Sequence, residues 1–143
     1  MITALPEKER EDDKAYYSKI LGRNYLKRGG ALAWLSQFES AIQDIKRAMD
    51  YKGLYSEEEI EIMQQDIDSI QLRKDSQDMK LQGDILFARN LMDESLEKYF
   101  KALELDPMNE YALSNIGVIY LKRFDFDNCL KFTSQALSII EEF

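Results

Sequence analysis

The chain has 143 residues, of which 45% are apolar and 32% are charged, and its 27 acidic and 19 basic residues give a net charge of −8. This length and composition are typical of one packed domain or one compact repeat array. The acidic balance argues against nonspecific nucleic-acid binding, because such binding needs basic surface to displace counterions from phosphate.

Several common chemistries lack the residues that they need. The sequence contains no histidine, which is the commonest general base and metal ligand. Cys129 is the only cysteine, so neither an internal disulfide nor a thiolate zinc cluster can form. No apolar run is long enough to span a membrane, and the acidic N-terminus lacks the apolar core of a signal peptide. We therefore expect a soluble, cytoplasmic protein that is not an enzyme and uses no cofactor or metal.

The chain is predicted to be all-α, beginning with an N-terminal helical extension over residues 1–21. Only two prolines and six glycines interrupt it, and no alternating strand pattern is present. Pro6 can open the first helix, because proline is accepted at the first helical position. The apolar residues of this extension lead on without a turn signal, and they are Tyr16, Tyr17, Ile20 and Leu21.

Three segments of 34 residues align without a gap, namely 22–55, 76–109 and 110–143. Small residues occupy two shared positions, which are Gly29, Gly83 and Gly117 at the first and Ala41, Ser95 and Cys129 at the second. We interpret each segment as two antiparallel helices that cross closely at these small residues. The turns between them are expected near Gln37, Asn90 and Asp125.

An insert over residues 56–75 separates the first two segments. Ser56 and Glu59 have the spacing of a capping box, and apolar residues then recur every three or four positions. This predicts one long helix over residues 57–89, and the alternative is a loop at residues 74–76 that divides the insert from the repeat. The apolar stripe of the insert is expected to be buried against Tyr16, Tyr17, Ile20 and Leu21, and it consists of Ile60, Met63, Ile67 and Ile70.

The repeated pattern resembles the tetratricopeptide repeat family. Segment 76–109 carries most of the family's signature, which here consists of Gly83, Ser95, Tyr99, Ala102 and the sequence Leu105-Asp106-Pro107. The first segment departs from it, because it has Gly53 in place of the closing proline. The resemblance implies a right-handed superhelix of about three helical hairpins with a long helical insert after the first. It also implies a protein–protein interaction scaffold or adaptor.

In this family the first helices of successive repeats line a groove that binds peptides or partner subunits. Projected onto this sequence, the groove residues of interest are Arg23, Lys27, Lys80, Asp84, Asn115, Leu121 and Lys122. Four of these are basic and one is acidic, whereas the whole chain is acidic, and this bias suits an acidic peptide segment. The alternative is that the lysines are simply solvated.

A co-chaperone module is the alternative function. Some family members grip the Glu-Glu-Val-Asp tails of large chaperones through a clamp of Lys, Asn and Arg. Lys80 and Asn115 fall at two clamp positions, but Asp84 stands where the clamp needs Asn and would repel a carboxylate. The stretch from Arg23 to Gly29 also looks like the last repeat of a co-chaperone that assists axonemal dynein assembly.

The last predicted helix carries more apolar residues than one inward stripe requires, and they are Leu130, Phe132, Leu137, Ile139 and Ile140. A repeat array buries each unit against its neighbours, so this surplus needs a cover. We consider three covers: further repeats, end-to-end self-association and a partner protein. An oligomer or a larger assembly is therefore the expected setting.

Overall fold

The computed structural model describes residues 7–51 and 53–142, apart from the side chains of residues 8 and 9. Within those residues all regular structure is α-helical, which confirms the predicted all-α class. The described helices are α1 (Glu7–Trp34), α2 (Phe38–Met49), α3 (Glu57–Ala88), α4 (Met92–Leu105), α5 (Glu110–Lys122) and α6 (Phe126–Glu141). The predicted opening of α1 by Pro6 lies outside the described residues.

The three hairpin turns share one backbone conformation. Ser36, Asn90 and Phe124 occupy equivalent positions and have φ angles of 61°, 63° and 59°, in the left-handed region. In each turn the next residue donates its N–H to the carbonyl five residues earlier, as Gln37 does to Leu32 at 2.8 Å. This pattern closes a helix by satisfying its last carbonyls, and it explains why the turns lie where the repeat alignment predicts them.

The chain forms two compact units, Met1–Gln71 and Leu72–Phe143, whose boundary falls inside α3. In the first unit, the core joins α2 and the C-terminal part of α1 to the first half of α3. It is built from Ala33, Phe38, Ala41, Ile42, Ile45, Met63, Ile67 and Ile70. The repeat boundaries inferred from the alignment stay a prediction.

Three of the four residues of the insert stripe are buried and Ile60 is half-buried, but the stripe does not pack against the residues that we expected. Met63, Ile67 and Ile70 belong to the core of the first unit, where their neighbours come from α2 and from α1 after Leu26. The expected partners are all exposed, at 38–61% of their surface, and they are Tyr16, Tyr17, Ile20 and Leu21. The predicted pairing is therefore wrong, because α2 already presents an apolar side to α3.

Helix α3 is continuous, as predicted, and no loop divides it at residues 74–76. Its start is the predicted capping box, since the N–H of Glu59 donates to Ser56 Oγ at 3.2 Å and the N–H of Ser56 donates to Glu59 Oε1 at 3.3 Å. Ser76 lies fully buried within the helix and donates its hydroxyl to the carbonyl of Ala102 at 2.7 Å. This hydroxyl therefore tethers α4 to α3 rather than ending the helix.

In the second unit, α4 and α5 share the core. Its buried residues are Leu96, Tyr99, Ala102, Ala112, Ile116 and Ile119. Asn109 caps α5, because its side chain accepts from the N–H of Ala112 at 3.1 Å and its amide donates to Ser76 Oγ at 2.9 Å. Ser76 thus connects the carbonyl of Ala102 on α4 with the cap of α5, and this chain of hydrogen bonds joins α3, α4 and α5.

Candidate functional site

Tyr99 of α4 passes through the hairpin beside Gly83 of α3. A Cβ atom at Gly83 would lie 2.6 Å from the ring, so only glycine leaves room for the tyrosine there. The ring is 1% exposed, yet its hydroxyl reaches the far side of α3 and donates to Asp84 Oδ1 at 2.6 Å. The crossing glycine therefore lets a core tyrosine contribute a polar atom to the outer surface.

Asp84 lies at the centre of this polar cluster. The side-chain amide of Asn115 on α5 donates to Asp84 Oδ1 at 2.9 Å, and Lys80 Nζ lies 2.6 Å from Asp84 Oδ2. Together with Tyr99, three donors converge on one carboxylate. Its negative charge is offset by the lysine one turn earlier on the same helix. The family resemblance predicts Asp84 as an acid facing an incoming carboxylate, whereas in the structure Tyr99, Asn115 and Lys80 already bind it.

A pocket of about 240 Å³ opens over this cluster, and it is lined by Asp84, Phe87, Tyr99, Asn115 and Val118. Two lysines stand beside it: Lys80 Nζ lies 5.4 Å from the centre of the Tyr111 ring, and Lys122 Nζ lies 4.7 Å from the centre of the Phe87 ring. Cations over aromatic faces are held in place without losing their charge. The pocket is therefore small, partly apolar and bordered by positive charge.

Burial and the hydrogen bond to Asp84 raise the pKa of Tyr99 to about 12. Burial is the larger cause, because Tyr99 is only 1% exposed and water cannot solvate a phenolate there well. The adjacent carboxylate acts in the same direction. At neutral pH the hydroxyl is therefore a permanent donor, and Asp84 keeps this partner over the whole physiological range.

The candidate residues of the first unit lie on α1. Arg23 and Lys27 are exposed there. Burial raises the pKa of the Tyr55 hydroxyl, and the charge of Arg23 acts against that shift. Both basic side chains are available at the surface of the first unit.

Sequence reasoning missed the ion pair that joins α1 to α2. Arg28 donates two hydrogen bonds to the buried carboxylate of Asp44, from Nε to Oδ2 at 2.6 Å and from Nη2 to Oδ1 at 2.9 Å. Hydrogen bonding by Arg28 lowers the pKa of Asp44, and the same contact raises the pKa of Arg28. The sequence did carry a signal for this pair, because Asp44 is an acidic residue among the apolar positions of α2. This pair stabilises the hairpin and leaves the surface of Arg28 exposed.

Tyr99 is the second residue that sequence reasoning left out of the site. It was recognised only as part of the repeat signature, although a tyrosine opposite a crossing glycine is long enough to emerge beyond it. Leu121 was included in the site and is exposed on α5, one turn beyond the pocket residue Val118. The structure thus links Lys80, Asp84 and Asn115 directly, and it adds Tyr99 to them.

Neither a membrane span nor a metal cluster is found in the part of the chain that the structure describes. Across residues 7–51 and 53–142, no helix has both the length and the apolar character needed to cross a membrane. Over the same ranges, no group of three or more histidine, cysteine, aspartate or glutamate side chains is arranged to hold a metal ion.

Comparison with known proteins places a repeat in the second unit. Residues 83–123 match a family described as TPR repeat, which confirms the resemblance over that stretch. A search of curated proteins found no match. Among solved structures, the crystal structure of MamA is similar with a TM-score of 0.46 and 18% sequence identity over 87% of this chain. This chain spans 61% of the length of the MamA chain.

Proposed function

We propose that this chain, which matches the tetratricopeptide repeat over residues 83–123, is a protein–protein interaction module that binds an acidic segment of a partner. The observation that carries the proposal is the outer surface of α3 and α5 in the second unit. There, Lys80 and Lys122 border a pocket whose own acid is already partnered. A groove of this kind attracts acidic side chains electrostatically and offers them an apolar contact.

The charges near the pocket favour an anionic guest. Lys80 and Lys122 carry two positive charges against the single negative charge of Asp84, although the chain as a whole carries −8. Three donors already bind the Asp84 carboxylate, so it opposes an acidic guest less than a free carboxylate would. The pocket volume of about 240 Å³ suits one side chain of a bound segment rather than a whole small molecule.

The proposal extends to a few further points. Arg23 and Lys27 are a separate candidate contact on the first unit. We assign no catalysis to the module. We place it in the cytoplasm, in keeping with its single cysteine and acidic composition.

The test is titration of the full chain with a glutamate-rich peptide whose C-terminus is amidated. Reversing both charges, in Lys80→Glu with Lys122→Glu, is expected to weaken binding about 10-fold or more, since exposed and partly desolvated charges each contribute to affinity. Lys101→Glu, an exposed lysine on α4, makes a matched control and should bind as the wild type does. Binding should also weaken as salt is raised. Affinity that neither change alters would move the site away from α3 and α5.

The co-chaperone alternative is separated by a second peptide that ends in Glu-Glu-Val-Asp with a free carboxylate. If the pocket recognises acidic side chains and not a terminal carboxylate, this peptide should bind no more tightly than the amidated one. A preference for the free terminal carboxylate that disappears in Lys80→Gln would favour a carboxylate clamp and the co-chaperone function. Affinity capture with the wild type and the double variant, followed by mass spectrometry, then identifies the partner.

A further inference from the structure

The N-terminal half of α1 exposes a row of side chains that leads up to the candidate residues Arg23 and Lys27. Tyr16 is 61% exposed and Ile20 is 38% exposed, and Asp13, Arg23 and Lys27 are exposed as well. Successive members of this row are alternately three and four residues apart, which places them along one side of the helix with the spacing of a two-helix seam. We call Asp13, Tyr16, Ile20, Arg23 and Lys27 the α1 seam.

The opposite side of α1 packs against the first unit. A residue two positions after a seam residue is rotated about 200° from it around the helix, and Gly22 and Tyr25 are two such residues. A Cβ atom at Gly22 would collide with Leu54, and the Tyr25 ring stacks on Tyr51 with 6.4 Å between the ring centroids. The seam therefore lies on the side of α1 that faces away from these contacts.

Charge is segregated along the same helix. Residues 7–13 include five acidic and two basic residues, whereas residues 14–28 include five basic residues and no acidic one. Two parallel copies of this helix would bring like charges together. Two antiparallel copies bring the acidic end of each helix beside the basic part of the other, so the charge pattern is complementary to itself only in the antiparallel direction.

We propose that two copies of this chain associate through the α1 seam, with their α1 helices antiparallel. When Tyr16 of one copy lies opposite Ile20 of the other, Asp13 falls opposite Arg23, because each lies three residues outside that pair. The same contacts occur twice, once on each side of the twofold axis, as a symmetric dimer requires. This surface lies on the first unit, and it does not depend on acidic-segment binding at the pocket beside Lys80.

The residues beside the seam indicate how strong the pairing should be. Tyr17 adds apolar surface on one flank, where its ring lies 5.6 Å from that of Tyr16, edge to face. Lys19 lies on the other flank near its own copy, and its long side chain can extend into solvent. The seam is about 21 Å long at 1.5 Å per residue. We therefore expect a weak dimer, with a Kd of about 10–100 µM, as is typical of small interfaces.

Sedimentation equilibrium of the full chain from about 1 to 500 µM tests for this dimer, a range that brackets the expected Kd. We expect a monomer–dimer equilibrium in the wild type. Ile20→Asp should raise the Kd about 10-fold or more, because it places a charge opposite Tyr16 at the centre of the seam. A chain that stays monomeric over the whole range would overturn the proposal.

Exchange of charges tests the antiparallel register. Asp13→Arg and Arg23→Asp each place two pairs of like charges opposite one another, and each alone should raise the Kd about 5-fold or more. The double variant Asp13→Arg with Arg23→Asp restores opposite charges and should recover most of the lost affinity. An equimolar mixture of the two single variants should also form dimers. A double variant that dimerises no better than the single ones would overturn the register.

The matched control is Lys14→Asp, because Lys14 is exposed on the side of α1 away from the seam and its replacement changes the charge as Arg23→Asp does. It should dimerise as the wild type does. Circular dichroism checks that each variant keeps its helix content and its melting temperature. A dimer that Ile20→Asp and both single charge variants leave intact would place self-association on another surface and overturn the proposal.

Discussion

The hairpins α1–α2 and α3–α4 share a turn and a crossing glycine, but only the second carries the polar pocket. In α1–α2, Ile45 packs against Gly29, where a Cβ would lie 2.9 Å from the isoleucine, and the side chain ends inside the core. In α3–α4, Tyr99 occupies the equivalent position and its hydroxyl continues to Asp84. The reach of Tyr99 past Gly83 therefore accounts for the polar cluster at Asp84, which Ile45 cannot form in the first hairpin.

The residue after the glycine completes the difference. Asp84 follows Gly83 and receives the tyrosine hydroxyl, whereas Gly30 follows Gly29, and a Cβ placed at Gly30 would meet nothing within 4 Å. The first hairpin instead uses its acid on the opposite helix, where Asp44 is held by Arg28. The two hairpins thus share a backbone but differ in their polar groups. In the first hairpin the Arg28–Asp44 ion pair joins the two helices, and in the second Tyr99 and Asp84 line a pocket.

Removing the tyrosine ring is the largest change that this comparison suggests. Tyr99→Ala deletes a fully buried aromatic ring and is expected to lower the free energy of unfolding by about 3–5 kcal/mol. Tyr99→Phe keeps the ring and loses the hydroxyl, which donates to Asp84 and accepts from Asn115, for about 1 kcal/mol. Urea unfolding followed by circular dichroism measures both. Equal losses in the two variants would mean that the hydroxyl, rather than the ring, supplies the stability.

Adding one methyl group at the glycines tests the crossing itself. Gly83→Ala forces a Cβ to within 2.6 Å of the Tyr99 ring and should cost about 1–3 kcal/mol of stability. Gly30→Ala adds the same group into open space within α1 and should stabilise by about 0.5–1 kcal/mol, because alanine favours a helix over glycine. Thermal unfolding of the two variants gives the comparison. A gain in stability from Gly83→Ala would show that the helices do not cross as closely as described.

The alkaline limb of stability also differs between the hairpins, and the effect belongs to the second one. The pKa of Tyr99 is raised to about 12 in the folded chain, above the value of about 10 for an unfolded tyrosine. A raised pKa contributes stability that is fully present below pH 10 and is lost as the pH rises toward 12. Tyr99→Phe lacks this contribution, so its free energy of unfolding should fall less over that interval. Parallel profiles for the two proteins would contradict the assignment.

Much of the local structure could be predicted from the sequence. The turns near Gln37, Asn90 and Asp125 follow from the alignment of the 34-residue segments. The capping box at Ser56 and the unbroken α3 follow from short-range patterns of caps and apolar spacing. The glycine crossings were also predicted, because a small residue that recurs at a fixed repeat position indicates the close approach of two helices. For the candidate site, the family resemblance places Lys80, Asp84 and Asn115 on one surface without showing how they pair.

The remaining features depend on contacts between residues that are far apart in the sequence, and the packing of the helices determines those contacts. The sequence determined that Met63, Ile67 and Ile70 form an apolar stripe, but α2 and α1 compete for that stripe, and only packing shows that the residues from Tyr16 to Leu21 stay exposed. It likewise determined that Asp84 is acidic, but not that Tyr99 reaches it past Gly83 and that Lys80 offsets its charge. The spacing of apolar residues along a helix predicts which side of that helix is apolar. What that side meets is determined by the length and direction of side chains on other helices, and no spacing along one helix contains that information.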